Sequence, residues 1–277
     1  MPLNARGAML GTVAGRHQSP HRGSSVEFAE YRRYQPGDEL RRLDWRAFGR
    51  SDRYYVKEFE ADTNLRMMLV LDASGSMAFG SKLEVARQII ATLAYLAVGQ
   101  GDAAGLICAS ADDGEMLPPR RVAGQVNVLF NKLGRVRAEG ETLLDQSLHE
   151  LAERIRERAL VIVVSDLFLE PQRIRQAMEH LAFRKHDTAV FQVVDPLEMN
   201  PDWHRPTRLQ DLETDEAVAV EPDEIRAGYE RAVREHFDAI GEIVRETATD
   251  YALVMTDQPV EDSLSQFISG RRRDQSR

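Results

Sequence analysis

Met67-Met68-Leu69-Val70-Leu71-Asp72-Ala73-Ser74-Gly75-Ser76 is the stretch on which the fold turns. Five apolar residues run without alternation and stop abruptly at a carboxylate. Such a run suits a strand buried on both faces of a parallel sheet. Apolar residues then recur at helical spacing at Leu83, Ala86, Ile90, Leu93, Ala94 and Ala97, with Ser81 and Glu84 placed as a capping box at the helix start. The same alternation continues downstream. Strands are predicted at 103–109, 160–164, 188–194 and 252–255. Helices are predicted around Val126–Leu133, Leu144–Ile155, from Pro171 to Leu181, and along the stripe Ile225, Tyr229, Val233, Phe237, Ile240 and Val244, with a short helix after Pro259. Polar alternation between Trp203 and Val220 predicts a hairpin inserted ahead of the long helix. Strand–helix alternation with apolar strands gives an α/β fold, a doubly wound and mostly parallel sheet covered on both faces.

Upstream of this core the composition changes. Residues 1–66 carry 12 Arg/Lys against 9 Asp/Glu, a net of +3; the rest carries 24 against 36, a net of −12. Residues 1–25 are expected to be a flexible tail. Residues 26–66 are dense in aromatics and arginines and are expected to form a small extended or β element packing on the core. The core is expected over 67–270, with a basic tail at 271–277. Whole-chain charge is −9, which argues against a general nucleic-acid binder. Six carboxylates between Glu27 and Asp52 offset the arginines there. Cys108 is the single cysteine and sits in an apolar run, so it is expected in the core and the compartment is expected to be reducing. No secretory signal stands in Met1–Pro20, and the longest apolar run, Ile89–Val98, is too short to span a bilayer. A cytoplasmic location without a membrane span is the expectation. His149, His180, His186 and His236 are expected to be surface or satisfied residues.

Ligands of doubly wound sheets sit beyond the carboxyl ends of the strands. Asp72, Ser74 and Ser76 follow the first core strand, Thr142 precedes the helix at 144, and Asp166 follows the strand at 160–164. These are five hard oxygen donors with no Cys or His among them. That chemistry suits Mg²⁺, or Mn²⁺ or Ca²⁺, and not zinc. Two carboxylates and three neutral hydroxyls leave such a cation partly uncompensated and able to take a carboxylate from outside.

The set Asp72-x-Ser74-x-Ser76, Thr142 and Asp166 resembles the metal-ion-dependent adhesion site of von Willebrand factor A domains. The resemblance implies that the hydroxyls bind the metal directly, the aspartates largely through water, and that a partner's acidic residue completes the shell. Gly140-Glu141-Thr142 stands where that family often has Gly-Gly-Thr. The upstream signature is Glu27-Phe28, Tyr31-Arg32-x-Tyr34-x-Pro36-Gly37-Asp38, Arg42-x-Asp44-Trp45 and Tyr55-Val56-Lys57-Glu58-Phe59. It resembles domain-of-unknown-function family 58 over roughly residues 20–260. This resemblance implies a partner of the MoxR-type AAA+ ATPase class. Glu141, Arg32 and Arg42 are the candidate partner-binding residues.

An enzyme is not expected. There is no Gly-x-Ser-x-Gly elbow, phosphate loop or dinucleotide fingerprint. Two alternatives remain open on sequence alone: a Mg²⁺-dependent phosphohydrolase using Asp72, against which Ser74 stands where a second Asp is wanted, and nucleic-acid binding through the Arg/aromatic segment.

Overall fold

A computed structural model describes residues 27–34, 44–51, 53–60, 65–110, 116–201, 207–210, 212, 217–220 and 222–274. Two compact units are present, one of Ala8–Asn64 and one containing Leu65–Arg277. In the smaller unit β1 (Glu27–Arg33) pairs antiparallel with β2 (Tyr55–Glu60). Between them lies α1 (Trp45–Ser51), where the sequence led us to expect only extended chain. The reason is a local cap. Asp44 Oδ1 accepts the Ala47 N–H at 3.1 Å and the Asp44 carbonyl accepts Phe48 N–H, which satisfies two donors at the helix start. The aromatics serve this unit's own packing: the Phe48 and Tyr54 rings stack with centres 4.5 Å apart, and Trp45 meets Phe48 edge-on.

The larger unit runs β3 (Arg66–Asp72), α2 (Lys82–Gly99), β4 (Ala103–Ala109), β5 (Leu117–Arg120), α3 (Gln125–Leu133), α4 (Leu144–Arg154), β6 (Leu160–Ser165) and α5 (Pro171–Phe183). It continues through β7 (Asp187–Val194), α6 (Pro196–Met199), β8 (Thr207–Gln210), β9 (Ala217–Val220), α7 (Pro222–Glu246), β10 (Asp250–Met255) and α8 (Val260–Asp274). Six strands form one sheet in the order β10-β7-β6-β3-β4-β5, and β8 and β9 form the inserted antiparallel hairpin. All neighbours in the large sheet are parallel except β5, which runs antiparallel to β4. The α/β, doubly wound reading therefore holds. Chain order reverses direction between β3 and β6, and this is the sheet's switch point.

The unbroken apolar runs are central strands because both their faces are covered. Met67–Leu71 and Leu160–Val164 are fully buried. Leu144, Leu148, Leu151, Ile174, Met178 and Leu181 from α4 and α5 join Ile240 and Ile243 of α7 in one cluster with these strands. Ala86, Ile89, Ile90, Leu93 and Ala97 of α2 are buried too, and Cys108 is a core residue as expected. Each such large aliphatic side chain contributes roughly 1.5–3 kcal/mol by leaving water.

Three local expectations are corrected. Ser81 precedes α2 but makes no side-chain cap bond, because its backbone (φ −110°, ψ 18°) departs from the extended conformation typical of a cap. α8 is not short: it has 15 residues and carries Arg271–Arg273, so these arginines are helical and not a separate tail. His186 and His236 are not fully satisfied, since each keeps a buried Nε2 without a hydrogen-bond partner. Among the described residues no helix is long and apolar enough to cross a membrane.

Candidate metal centre

Strand register builds the site. Leu71 of β3 lies opposite Val164 of β6, so the next residues, Asp72 and Ser165, come together at the strand ends. Ser165 Oγ donates to Asp72 Oδ2 at 2.6 Å, and Ser74 N–H donates to Asp72 Oδ1 at 3.0 Å. After Asp72 the chain enters a short 3-10 turn, Gly75–Ala78, anchored by the buried Met77. Ser74 Oγ and Ser76 Oγ end 3.1 Å apart.

The segment carrying Thr142 is tied to this loop through the backbone. Gly75 N–H donates to the Gly140 carbonyl at 2.8 Å, and Glu139 N–H donates to the Ala73 carbonyl at 3.0 Å. Gly140 is left-handed (φ 75°), a conformation that glycine adopts without strain. Glu141 is not among the positive-φ residues, so a side chain at that position is tolerated without strain. Thr142 itself is buried. On the other side, Asp166 Oδ1 accepts the Phe168 N–H at 3.1 Å and Ser165 Oγ accepts the Leu167 N–H at 2.8 Å. Leu167 is left-handed (φ 58°) yet buried, so this tight turn is held by its surroundings.

Two carboxylates are buried close together at these strand ends. Asp72 and Asp166 are each 1% exposed. Burial, and then the Asp166 charge, push the Asp72 carboxyl up to about 6, against the hydrogen bonds from Ser165 and Ser74. Among the described residues no group of three His, Cys, Asp or Glu could hold a metal. The donor set here is of a different kind, two carboxylates with hydroxyls. Neighbouring ligands at right angles in an octahedral shell of about 2.1 Å radius lie about 3 Å apart. The Ser74–Ser76 spacing of 3.1 Å fits that geometry.

Of the candidate partner residues, Glu141 is exposed at the rim, and its charge acts on Arg173, which grips Asp145 with two bonds of 2.8 Å. Arg32 lies on β1 in the smaller unit, and Arg42 is outside the described residues.

Sequence reasoning missed Lys82. Its side chain is wholly buried; Nζ donates to Asp166 Oδ2 at 2.7 Å and also to Glu198 Oε1. A signal was present: Lys82, Ala86, Ile89 and Leu93 share the buried face of α2. Glu198 was missed as well. It sits on α6, whose capping box joins Asp195 and Glu198: Leu197 N–H donates to Asp195 Oδ1, and Asp195 N–H donates to Glu198 Oε2. The pattern Asp195-Pro196-Leu197-Glu198 is a legible capping box with proline at the first helical position.

The larger unit is an α/β domain built on a doubly wound sheet, with Asp72, Ser74 and Ser76 at and after the end of β3, Thr142 ahead of α4 and Asp166 after β6. The family model described as "Protein of unknown function DUF58" matches residues 30–239, and the chain belongs to that family. An uncharacterized protein of Mycobacterium tuberculosis, Rv1480, is 25% identical over 282 residues, spanning 99% of this chain and 88% of its own length. BatB from Bacteroides thetaiotaomicron matches 76% of this chain and 99% of its own at 17% identity and a TM-score of 0.49. The SpRpn10 VWA domain matches 73% of this chain and 94% of its own at 10% identity and a TM-score of 0.44.

Proposed function

We propose that this chain is a protein-binding module, not an enzyme, in which Asp72, Ser74, Ser76, Thr142 and Asp166 hold a divalent cation, Mg²⁺ before Mn²⁺ or Ca²⁺. The observation that carries this is the convergence of buried aspartates and paired hydroxyls at the switch point of the sheet. A cation held there supplies the positive charge that draws in a carboxylate from a partner protein. The chain's own residues do the positioning. Ser165 and the Ser74 N–H fix both oxygens of Asp72, and the Gly140 and Glu139 backbone bonds set the Thr142 segment beside the serines. An Asp72 engaged at both oxygens and buried is poorly placed as a nucleophile, which supports the non-catalytic reading. Beside the site, a 350 Å³ cleft lined by Met77, Gly80, Leu83, Glu84, Arg87 and Val136, with Arg87 paired to Glu84, gives a partner's neighbouring side chains a seat of mixed apolar and charged character. The family resemblance makes a MoxR-type AAA+ ATPase, in the cytoplasm, the partner to try first.

Asp72→Ala is expected to abolish Mg²⁺ binding measured by isothermal titration while the circular dichroism spectrum stays that of the parent. Unchanged Mg²⁺ affinity in the folded variant contradicts the assignment.

A further inference from the structure

Lys82 brings a fixed positive charge into a site read as one for a cation. Its ammonium is fully buried, and its Nζ lies 5.1 Å from the Phe168 ring centre and 5.8 Å from that of Phe79. Aromatic surface and two carboxylates, Asp166 and Glu198, surround it. A buried ammonium is stable only with such partners. The partner it takes on the site's side is one of the two aspartates available to a divalent ion.

We infer that Lys82 is a resident competitor for Asp166: it neutralises that carboxylate from inside, keeps the folded chain stable with no divalent ion bound, and holds the site at low, readily reversible affinity. This deepens the cation reading and rests on it. Two observations carry it. Both oxygens of Asp166 already have donors in the chain, the Phe168 N–H on Oδ1 and Lys82 on Oδ2, so an incoming ion must share Asp166 with the ammonium. The ammonium is also removed from water, so its repulsion of a second cation is weakly screened.

Glu198 opposes the competition. It draws on the same ammonium and offsets its charge, and it is held for that task by the Asp195 N–H on Oε2 and by the Tyr229 hydroxyl on its carbonyl at 2.6 Å. The order of metal affinities follows. Removing both charges together, Lys82→Met with Glu198→Gln, leaves the net charge unchanged and frees Asp166. Removing Glu198 alone leaves the ammonium to Asp166.

The test is Mn²⁺ binding by the full chain, read by isothermal titration and by the electron paramagnetic resonance signal of free Mn²⁺, with folding checked by circular dichroism. The expected result is at least tenfold tighter binding in the Lys82→Met/Glu198→Gln protein than in the parent, and severalfold weaker binding in Glu198→Gln. Removing saturating Mn²⁺ with chelator is expected to lower the double variant's Tm by more than the parent's. Equal or weaker Mn²⁺ binding by a folded double variant, with the parent still binding, overturns the role of Lys82 and leaves the cation site standing. Should the double variant fail to fold, Glu198→Gln decides alone: binding as tight as the parent's or tighter overturns the competition. If neither the parent nor any variant binds Mn²⁺, the competition and the cation reading fall together.

Discussion

Ser165 shows how a single residue turns strand register into chemistry. It follows Val164 as Asp72 follows Leu71, and its hydroxyl therefore reaches Asp72 Oδ2. The placement of Asp72, Ser74, Ser76, Thr142 and Asp166 at one edge of the sheet was legible in the sequence because each follows an apolar run or stands just before a periodic one. Lys82 and Glu198 left only weaker marks, a place on the buried stripe of α2 and a capping box, because a lysine at a helix start and a glutamate in a short polar turn look solvated until tertiary packing closes over them. His186 carries a separate prediction at this scale. Its Nδ1 accepts the Ala159 N–H at 3.3 Å and its Nε2 has no partner. Burial, then the charges of Arg184 and His180, hold it below its ordinary 6.5. The folded chain therefore binds fewer protons here than the unfolded chain. Stability is full above 6.5 and declines as pH falls from 6.5 towards the lowered folded value. Thermal melts between pH 7.5 and 5 should show a shallower decline in His186→Asn than in the parent; parallel declines contradict this account of His186.

Elements were legible where periodicity was strong and illegible where local chemistry ran against it. β3 and β6 announce themselves by unbroken apolar runs. β5 does not, because Pro118 and Pro119 remove two backbone donors from a four-residue strand; the edge of a sheet tolerates that loss. α1 escaped because its aromatics suggested a strand, whereas the Asp44 cap fixes a helix. β5 also explains Gly105 in β4. A Cβ there would stand 2.5 Å from Met68 Sδ, 2.7 Å from the Leu117 carbonyl oxygen and 2.8 Å from Pro119 N. Two of those are backbone atoms, so the strand pair itself must move. Gly105→Ala is expected to destabilise the fold by about 1–3 kcal/mol in urea titrations, with unchanged Mg²⁺ stoichiometry in the folded state. A cost below ~0.5 kcal/mol would show that β5 is not held against β4 as described.

At the scale of the molecule, an open parallel sheet places its chemistry where chain direction reverses, between β3 and β6, and the loops at that edge carry all five oxygen donors. Strand–helix alternation made the fold class readable. Strand order and the antiparallel edge come from long-range pairing and had to be seen. The proposed divalent cation would sit between the hydroxyls of this edge. Diffraction from crystals grown with Mn²⁺, collected at the manganese absorption edge, tests it most directly. One anomalous peak is expected within about 2.5 Å of both Ser74 Oγ and Ser76 Oγ, on the side of Thr142 and Asp166, and it is expected to be lost in Asp72→Ala. A peak elsewhere, or none at saturating Mn²⁺, contradicts it.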